Sequence, residues 1–264
     1  MADVTVLGAD SAPSPGSHLG FGIDIGGTGV KGAIVDLRTG EFVGERLRLE
    51  TAQPATPDAV GDQVVEIVEH FGWTGPVGLT VPGVVRHGVM YTAANIDPAW
   101  KGSDVAGDFS KRLGGRPVTV LNDADAAGIA ELQFGIGEPA REGTVILLTF
   151  GTGIGSALFH DGVLIPNTEF GHIEVDGKEA EKRGSAKVRT DCGWSFEKWA
   201  GKVSRILETY EQLLSPDLFI AGGGVSRKAD KWIPLLTNET PVVPADLRNT
   251  AGIVGAAIAV DKSL

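Results

Sequence analysis

Residues 21–35, FGIDIGGTGVKGAIV, decide the fold. Phe21 to Ile25 alternate and are rich in β-prone side chains, which predicts a strand. Gly26-Gly27-Thr28-Gly29 interrupts the run and Val30 to Asp36 resumes it. Strand, glycine turn, strand reads as a β-hairpin. Asp24 is a lone carboxylate in an apolar strand, a costly position unless a metal, a proton or a hydrogen-bond donor compensates it. The turn beside it carries backbone N–H groups behind very little side chain, which suits an approaching phosphate. A bare D-x-G-G would fit an incidental tight turn equally well. The full D-x-G-G-T-x-x-K, Asp24 to Lys31, is far more specific. It is no Walker loop, because Lys31 lies between Val30 and Gly32. Nor is it a dinucleotide fingerprint, since no helical pattern follows the glycines.

Composition narrows the classes. The chain has 264 residues, 42% of them hydrophobic, enough for one large domain or two lobes with separate cores. Mean hydropathy is +0.07. The 38 glycines suit many tight turns. A net charge of −11 argues against general affinity for nucleic acid or anionic membrane, so any phosphate ligand depends on local basic positions. The single cysteine, Cys192, rules out an internal disulfide and a cysteine zinc cluster, and fits a reducing cytoplasm. No apolar run approaches membrane-spanning length. Residues 1–19 lack the basic start and apolar stretch of a signal peptide and read as a flexible leader.

Along the chain, Glu41 to Leu49 reads as a third strand. A helix over 57–71 is capped by Thr56. Strands are expected over 76–81 and 117–121, with a helix over 103–113 between them, and a helix over 124–134 follows Asn122-Asp123. The pattern then restarts: strand 143–149, glycine turn 150–155, strand 156–160. Residues 176–191 read as charged and irregular. A helix over 196–214, a strand over 218–221, a helix opened by Gly222-Gly223-Gly224 and a small-residue helix over 250–260 complete the chain. Repetition of the strand, glycine turn, strand layout implies two related lobes with a binding cleft between them.

The candidate chemistry sits at six places. Asn122-Asp123 stands at a strand end opening a helix, where an Asx residue serves as N-cap or, between two phosphate turns, as a catalytic group. LLTFGTGIGSALF, 147–159, supplies the second turn, with Gly151, Thr152 and Gly153 facing a transferring phosphoryl group. NTEFGHIEV, 167–175, contributes Glu169 and His172, and DCGWSFEKWAG, 191–201, contributes Glu197. Asn95 lies in the N-x-D-P-x-W loop, where an Asx turn is the alternative. Asp24 orients Mg²⁺ through water, since that ion keeps much of its hydration shell. Lys31 either joins the phosphate or is an outward-facing strand residue.

Asp24 to Lys31, the N-D-A-D-A-A segment at 122–127 and E-F-G-H at 169–172 together resemble the ROK family of sugar kinases. From about residue 20 onward the chain resembles its actinobacterial polyphosphate-using glucokinases. The resemblance implies the α/β, two-lobed ribonuclease H-like fold of the actin, hexokinase and heat-shock 70 superfamily, with the active site in the interlobe cleft. It sets lobes at 20–122 plus about 250–264, and at 123–249. It implies that Asp123 is the general base toward the 6-hydroxyl of glucose, and of mannose in the nearest likeness. Asn95, Asn122, Asp123, Glu169, His172 and Glu197 become the sugar readers. Asp24, Gly26, Gly27, Thr28, Lys31 and the 151–153 turn hold donor phosphates, and LFIAGGGV at 218–225 places Gly222, Gly223 and Gly224 at an adenosine. In many relatives the histidine also binds zinc beside a cysteine cluster. Here those cysteines are missing, so no zinc is expected.

The implied donor is ATP or inorganic polyphosphate. Lys182, Arg183, Lys187 and Arg189 form either a track for a long polyanion or a solvated, charged face, since Glu179, Glu181 and Asp191 are interspersed. The implied product is a hexose 6-phosphate, made in the cytoplasm by a monomer or homodimer. Two rivals stand beside this reading: an ATP-only glucokinase, and a non-catalytic sugar-sensing protein. About 20 residues before the first turn leave too little chain for a DNA-binding domain.

Overall fold

The computed structural model describes residues 18–93, 96–136 and 141–261. Asn95 lies outside them, as does the expected leader up to residue 17. The opening hairpin forms as read: β1 (Leu19–Gly26) pairs antiparallel with β2 (Gly29–Asp36), with Gly27 and Thr28 at the bend. β3 (Leu47–Leu49) extends β2 antiparallel, whereas β4 (Val77–Val81) and β7 (Val118–Asn122) add parallel to the other side, for an order β3-β2-β1-β4-β7. The expected long third strand shrinks to three residues. Of its first half only Phe42 bridges to Val35, because a turn through Gly44 (φ 82°) breaks the pairing.

The second half repeats this plan. β8 (Thr144–Phe150), β9 (Ile154–His160) and β10 (Val163–Ile165) run antiparallel, and β13 (Leu218–Gly222) and β14 (Val242–Pro244) add parallel, in the order β10-β9-β8-β13-β14. Two small hairpins, β5 (Val85–Arg86) with β6 (Val89–Met90) and β11 (Glu174–Val175) with β12 (Lys178–Glu179), project from the connections.

Helices fill the layers. On the outer face of the first sheet lie α1 (Pro57–His70), capped by the Thr56 hydroxyl, and α2 (Val105–Arg112), capped by Asp104. Both contribute to one core with Phe21, Ile23, Ile25 and Val30. The long amphipathic α6 (Phe196–Leu214) covers the outer face of the second sheet through Trp199, Val203, Ile206 and Tyr210. Between the sheets lie α3 (Asp123–Phe134) and α7 (Ala251–Asp261), joined to Ala33, Val35, Val145, Leu147 and Ala157 in one core. Glycine makes this middle layer thin. Gly22 and Gly78 are register partners on β1 and β4, and a Cβ on either would stand 1.9 Å from the Ile253 carbonyl oxygen or 2.0 Å from that of Ala256. The α7 backbone therefore rests directly on the sheet.

Two expectations need correction. Residues 176–191 are not irregular: they hold β12, α4 (Ala180–Gly184) and α5 (Ala186–Asp191), the last capped by Ser185. The glycine stretch at 222–224 opens not an α-helix but a kinked 3₁₀ segment, Gly224–Lys231, with Lys228 outside helical φ/ψ.

Candidate active site

The carboxyl ends of β1, β8 and β13 and the starts of α3 and α7 converge on a cleft of 240 Å³, lined among others by Asp24, Lys31, Asp123, Thr149, Gly222, Gly223 and Arg248. Asp24 compensates its cost in the apolar strand with two donors: Lys31 Nζ reaches its Oδ2 at 3.0 Å and the Thr80 hydroxyl donates to Oδ1 at 2.9 Å. Lys31 is thus an ion-pair partner inside the cleft rather than an outward-facing residue. The turn beside them is braced from behind, with Thr51 Oγ1 donating to Gly26 O at 2.6 Å and Arg48 Nη2 to Thr28 O at 3.0 Å.

Asn122 is the N-cap of α3. Its Oδ1 accepts from Ala124 N–H at 2.8 Å and Asp125 N–H at 3.2 Å, and its Nδ2 donates to Gly83 O at 3.2 Å. That leaves one amide hydrogen for a ligand. Asp123 follows. Its environment pushes its carboxyl up to about 7, through crowding by protein first and the charge of Asp24 second, with Glu169 adding to it and the Ala124 N–H opposing. The side chain still meets solvent. Water that reaches the exposed side chain weakens the crowding, so the carboxyl is raised less than full burial would raise it.

Glu169 is half-buried, and burial also raises its carboxyl, with His172 opposing. His172 Nε2 lies 3.7 Å from Glu169, and its Nδ1 lies 3.8 Å from Glu179 and 3.9 Å from Glu181. Glu197 is exposed in the first turn of α6, behind the Ser195 cap. In the second glycine turn, Gly151 and Thr152 are exposed. Gly151 N–H donates to Gly153 O at 3.0 Å, and a Cβ on Gly153 would meet Glu181 Oε2 at 2.3 Å. Gly223 (φ 83°) packs on Phe150, which joins the third glycine stretch to this turn.

The four basic residues expected to track a polyanion all have local partners. Lys182 pairs with Glu179 at 2.8 Å and Lys187 with Asp191 at 2.5 Å. Arg183 donates to Val175 O at 3.0 and 2.8 Å, and the Arg189 guanidinium stacks 3.8 Å over Phe196. The two lysine pairs are exposed, and such pairs are worth about 0–1 kcal/mol, so an incoming phosphate can displace them.

Several residues of the site escape sequence reading. Arg248 lines the cleft with φ 52° and makes no side-chain ion pair among the described residues. Its loop is hung from Glu131, a fully buried carboxylate accepting from Asp246 N–H at 3.0 Å and Leu247 N–H at 2.8 Å. Asp125 is 1% exposed, and burial pushes its carboxyl up to about 7. Glu131 has no signal beyond its presence in an alanine-rich helix, and Asp125 stands in the 122–127 segment with no role assigned.

A five-stranded sheet occurs twice, Asp24 and Asp123 line one cleft, and residues 20–196 match the ROK family. The chain belongs to the ROK family. Like the rest of that family it has the two-lobed fold of actin, hexokinase and heat-shock 70 proteins. It is 58% identical over 259 residues to the polyphosphate glucokinase of Mycobacterium tuberculosis H37Rv, covering 97% of both chains. The glucokinase of Streptomyces coelicolor is 28% identical over 324 residues, with 90% of this chain and 96% of that one covered. Among solved structures, the inorganic polyphosphate/ATP-glucomannokinase of Arthrobacter sp. strain KM superposes with a TM-score of 0.87 at 48% identity, covering 93% and 99% of the two chains. A ROK glucokinase from Streptomyces griseus, bound to glucose and AMPPNP, gives 0.75 at 25% identity, with 91% and 98% covered. No helix among the described residues is long and apolar enough to cross a membrane.

Proposed function

We propose that this ROK protein transfers a phosphoryl group from inorganic polyphosphate or ATP to the 6-hydroxyl of glucose, and of mannose. The observation that carries the reading is Asp123: an acid at the start of α3, in the cleft, with its carboxyl raised to about 7. A hydroxyl is a weak nucleophile at neutral pH, and a positioned base is typically worth ~10²–10⁴-fold. Asp123 takes the hydroxyl proton as the oxygen attacks the terminal phosphorus of the donor. The phosphorus–oxygen bond to the rest of the donor breaks, and the proton leaves on Asp123. The remaining acceleration comes from alignment and charge neutralisation. Arg248 and Lys31 supply positive charge in the cleft, and the N–H groups of the 26–29 turn and of Thr152 and Gly153 meet phosphate oxygens.

Glu169, His172 and Glu197 read the sugar hydroxyls. Each hydroxyl both donates and accepts, and an unmatched buried polar group costs about 1–3 kcal/mol, which lets such a pocket reject a wrong epimer. Mannose acceptance needs slack only around the 2-hydroxyl, away from the chemistry. A hydrated Mg²⁺ fits at Asp24: each carboxylate oxygen has one partner and a lone pair to spare, and Gly252 stands opposite with no side chain to fill the space. There the ion would neutralise donor phosphate charge. The lobes, 20–122 with 250–264 and 123–249, close on the bound sugar and exclude water from the donor.

The test is glucose 6-phosphate formation by pure protein with Mg²⁺, given either ATP-free polyphosphate or ATP. Turnover with polyphosphate at least comparable to that with ATP supports the full reading. Turnover with ATP alone leaves an ATP-only glucokinase and returns Lys182, Arg183, Lys187 and Arg189 to a solvated face. No turnover with either donor overturns the kinase reading.

A further inference from the structure

The loop carrying Glu169 and His172 is built on the second sheet. Ser156 of β9, 1% exposed, donates through its hydroxyl to Thr168 O at 2.8 Å and accepts from Phe170 N–H at 3.0 Å. The buried Tyr210 of α6 donates its hydroxyl to Phe170 O at 2.7 Å. One residue of the loop also reaches the other sheet's side of the molecule. Asn167 accepts from Val85 N–H at 2.7 Å through Oδ1 and donates to Val85 O at 2.8 Å through Nδ2. Both backbone groups of one residue in the β5–β6 hairpin are thus held by one amide, as a partner strand would hold them. The backbone N–H of Asn167 donates in turn to Asp125 Oδ2 at 2.8 Å, while Asp125 Oδ1 is buried without a partner. Asp125 sits in the first turn of α3, two residues after Asp123.

We propose that Asn167 is a positioning residue that clasps the Glu169–His172 loop to the β5–β6 hairpin and so sets affinity for the sugar. This rests on the reading of Glu169 and His172 given above. Three features carry it. The amide is matched to Val85 on both sides, so its orientation is fixed by chemistry and not by crowding. Asn167 has φ 63°, a left-handed conformation that asparagine tolerates better than most residues, and the clasp together with Asp125 holds it there. The three contacts meet at one residue: the sugar loop, the hairpin that follows Pro82-Gly83, and the helix that presents Asp123. The hairpin is itself tied to the following chain, since Tyr91 N–H donates to Val84 O at 2.8 Å. With the clasp shut, the loop that carries the sugar readers is held in order against the β5–β6 hairpin before the lobes close, and preorganisation of this kind strengthens binding.

Asn167→Gly tests the idea, because glycine keeps the left-handed backbone and its N–H to Asp125 while removing only the amide. Two readouts are needed. Amide hydrogen exchange followed at Val85 reports the clasp directly, and steady-state kinetics report its use. In the wild type the Val85 N–H is protected. In Asn167→Gly we expect exchange there to quicken at least about tenfold and the sugar KM to rise about tenfold, while the donor KM stays within about twofold. Asn167→Asp, which keeps the acceptor and loses the donor, is expected to fall between the two in both readouts. A clasp of purely structural importance would lower thermal stability without separating the two KM values. Fast Val85 exchange in the wild type, or an unchanged sugar KM in Asn167→Gly once that exchange has quickened, overturns the proposal. If the wild type phosphorylates no hexose, the sugar role falls with the kinase reading, while protection at Val85 still shows whether the clasp exists, so the two failures differ.

Discussion

Lys31 places its ammonium 3.0 Å from Asp24 Oδ2 across the antiparallel β1–β2 pair, where the two residues stand directly opposite in register. A cross-strand ion pair is therefore built into the hairpin that opens the chain. It sets a carboxylate and an ammonium side by side at the floor of the cleft, and on the kinase reading that ammonium would meet donor oxygens. The same negative charge acts on Asp123 and helps hold that carboxyl up.

Removing the Asp24 charge should consequently do two things at once. Asp24→Asn is expected to reduce kcat by about 10²-fold or more through loss of metal and phosphate alignment. It should also move the acid limb of the residual pH–rate profile to lower pH, because Asp123 loses a like-charged neighbour. An acid limb that stays in place would show that Asp24 does not govern the ionisation of Asp123.

As the proposed base, Asp123 would act only when ionised. Its carboxyl is raised, so kcat/KM should rise with pH from the ordinary carboxylate range towards neutrality and level off above it. Asp123→Asn is expected to cost ~10²–10⁴-fold in kcat and to leave glucose binding, measured by calorimetry, within a few-fold of wild type. Near-wild-type turnover in that variant would remove Asp123 from the role.

Asp125 offers a stability test with a definite sign. Its folded carboxyl titrates at about 7 against an ordinary value of 3.8, so the native state holds the proton more tightly than the unfolded chain. The associated stability is complete at low pH and is lost as pH rises from about 4 through about 7, to a limit of about 4 kcal/mol. Asp125→Asn, which cannot ionise, should show a flatter dependence of Tm on pH than wild type between pH 5 and 8. Parallel curves for the two proteins would exclude Asp125 as the source.

The seat of α7 on the first sheet predicts the sharpest structural penalty. A methyl group at Gly22 or Gly78 meets a helix carbonyl, which cannot rotate away as a side chain would. Gly22→Ala and Gly78→Ala should each lose about 3 kcal/mol or more, lowering Tm by about 6 °C or more in a chain of this size. Thermal denaturation followed by circular dichroism measures it.

Much of this architecture is legible in the sequence because it is local. The β1–β2 hairpin, the Thr56 cap of α1 and the Asn122 cap of α3 depend on residues a few positions apart. The repeat of the hairpin in β8–β9 is visible for the same reason. The features that escape reading depend on distant partners. Asn167 looks like a turn residue until it meets Val85, 82 positions away, and Glu131 looks like a misplaced acid until it meets Leu247, 116 positions away. β14 has three residues and takes its identity from β13 rather than from its own pattern. α4 and α5 are too short and too charged for periodicity to separate them from a solvated loop.

Because α7 forms the inner cover of β1 and β4, the first sheet is completed by one of the last elements to be made. During synthesis, β1 to β7 can pair and collect α1 and α2 on one face while the other face waits. Contacts between such distant parts of a chain form late and slowly, and a sheet face left open in the interval is prone to the wrong partner. The glycines that let the helix dock so closely also leave that waiting face flat and poor in side chains. It gives a stray hydrophobic segment little to grip before its own helix emerges.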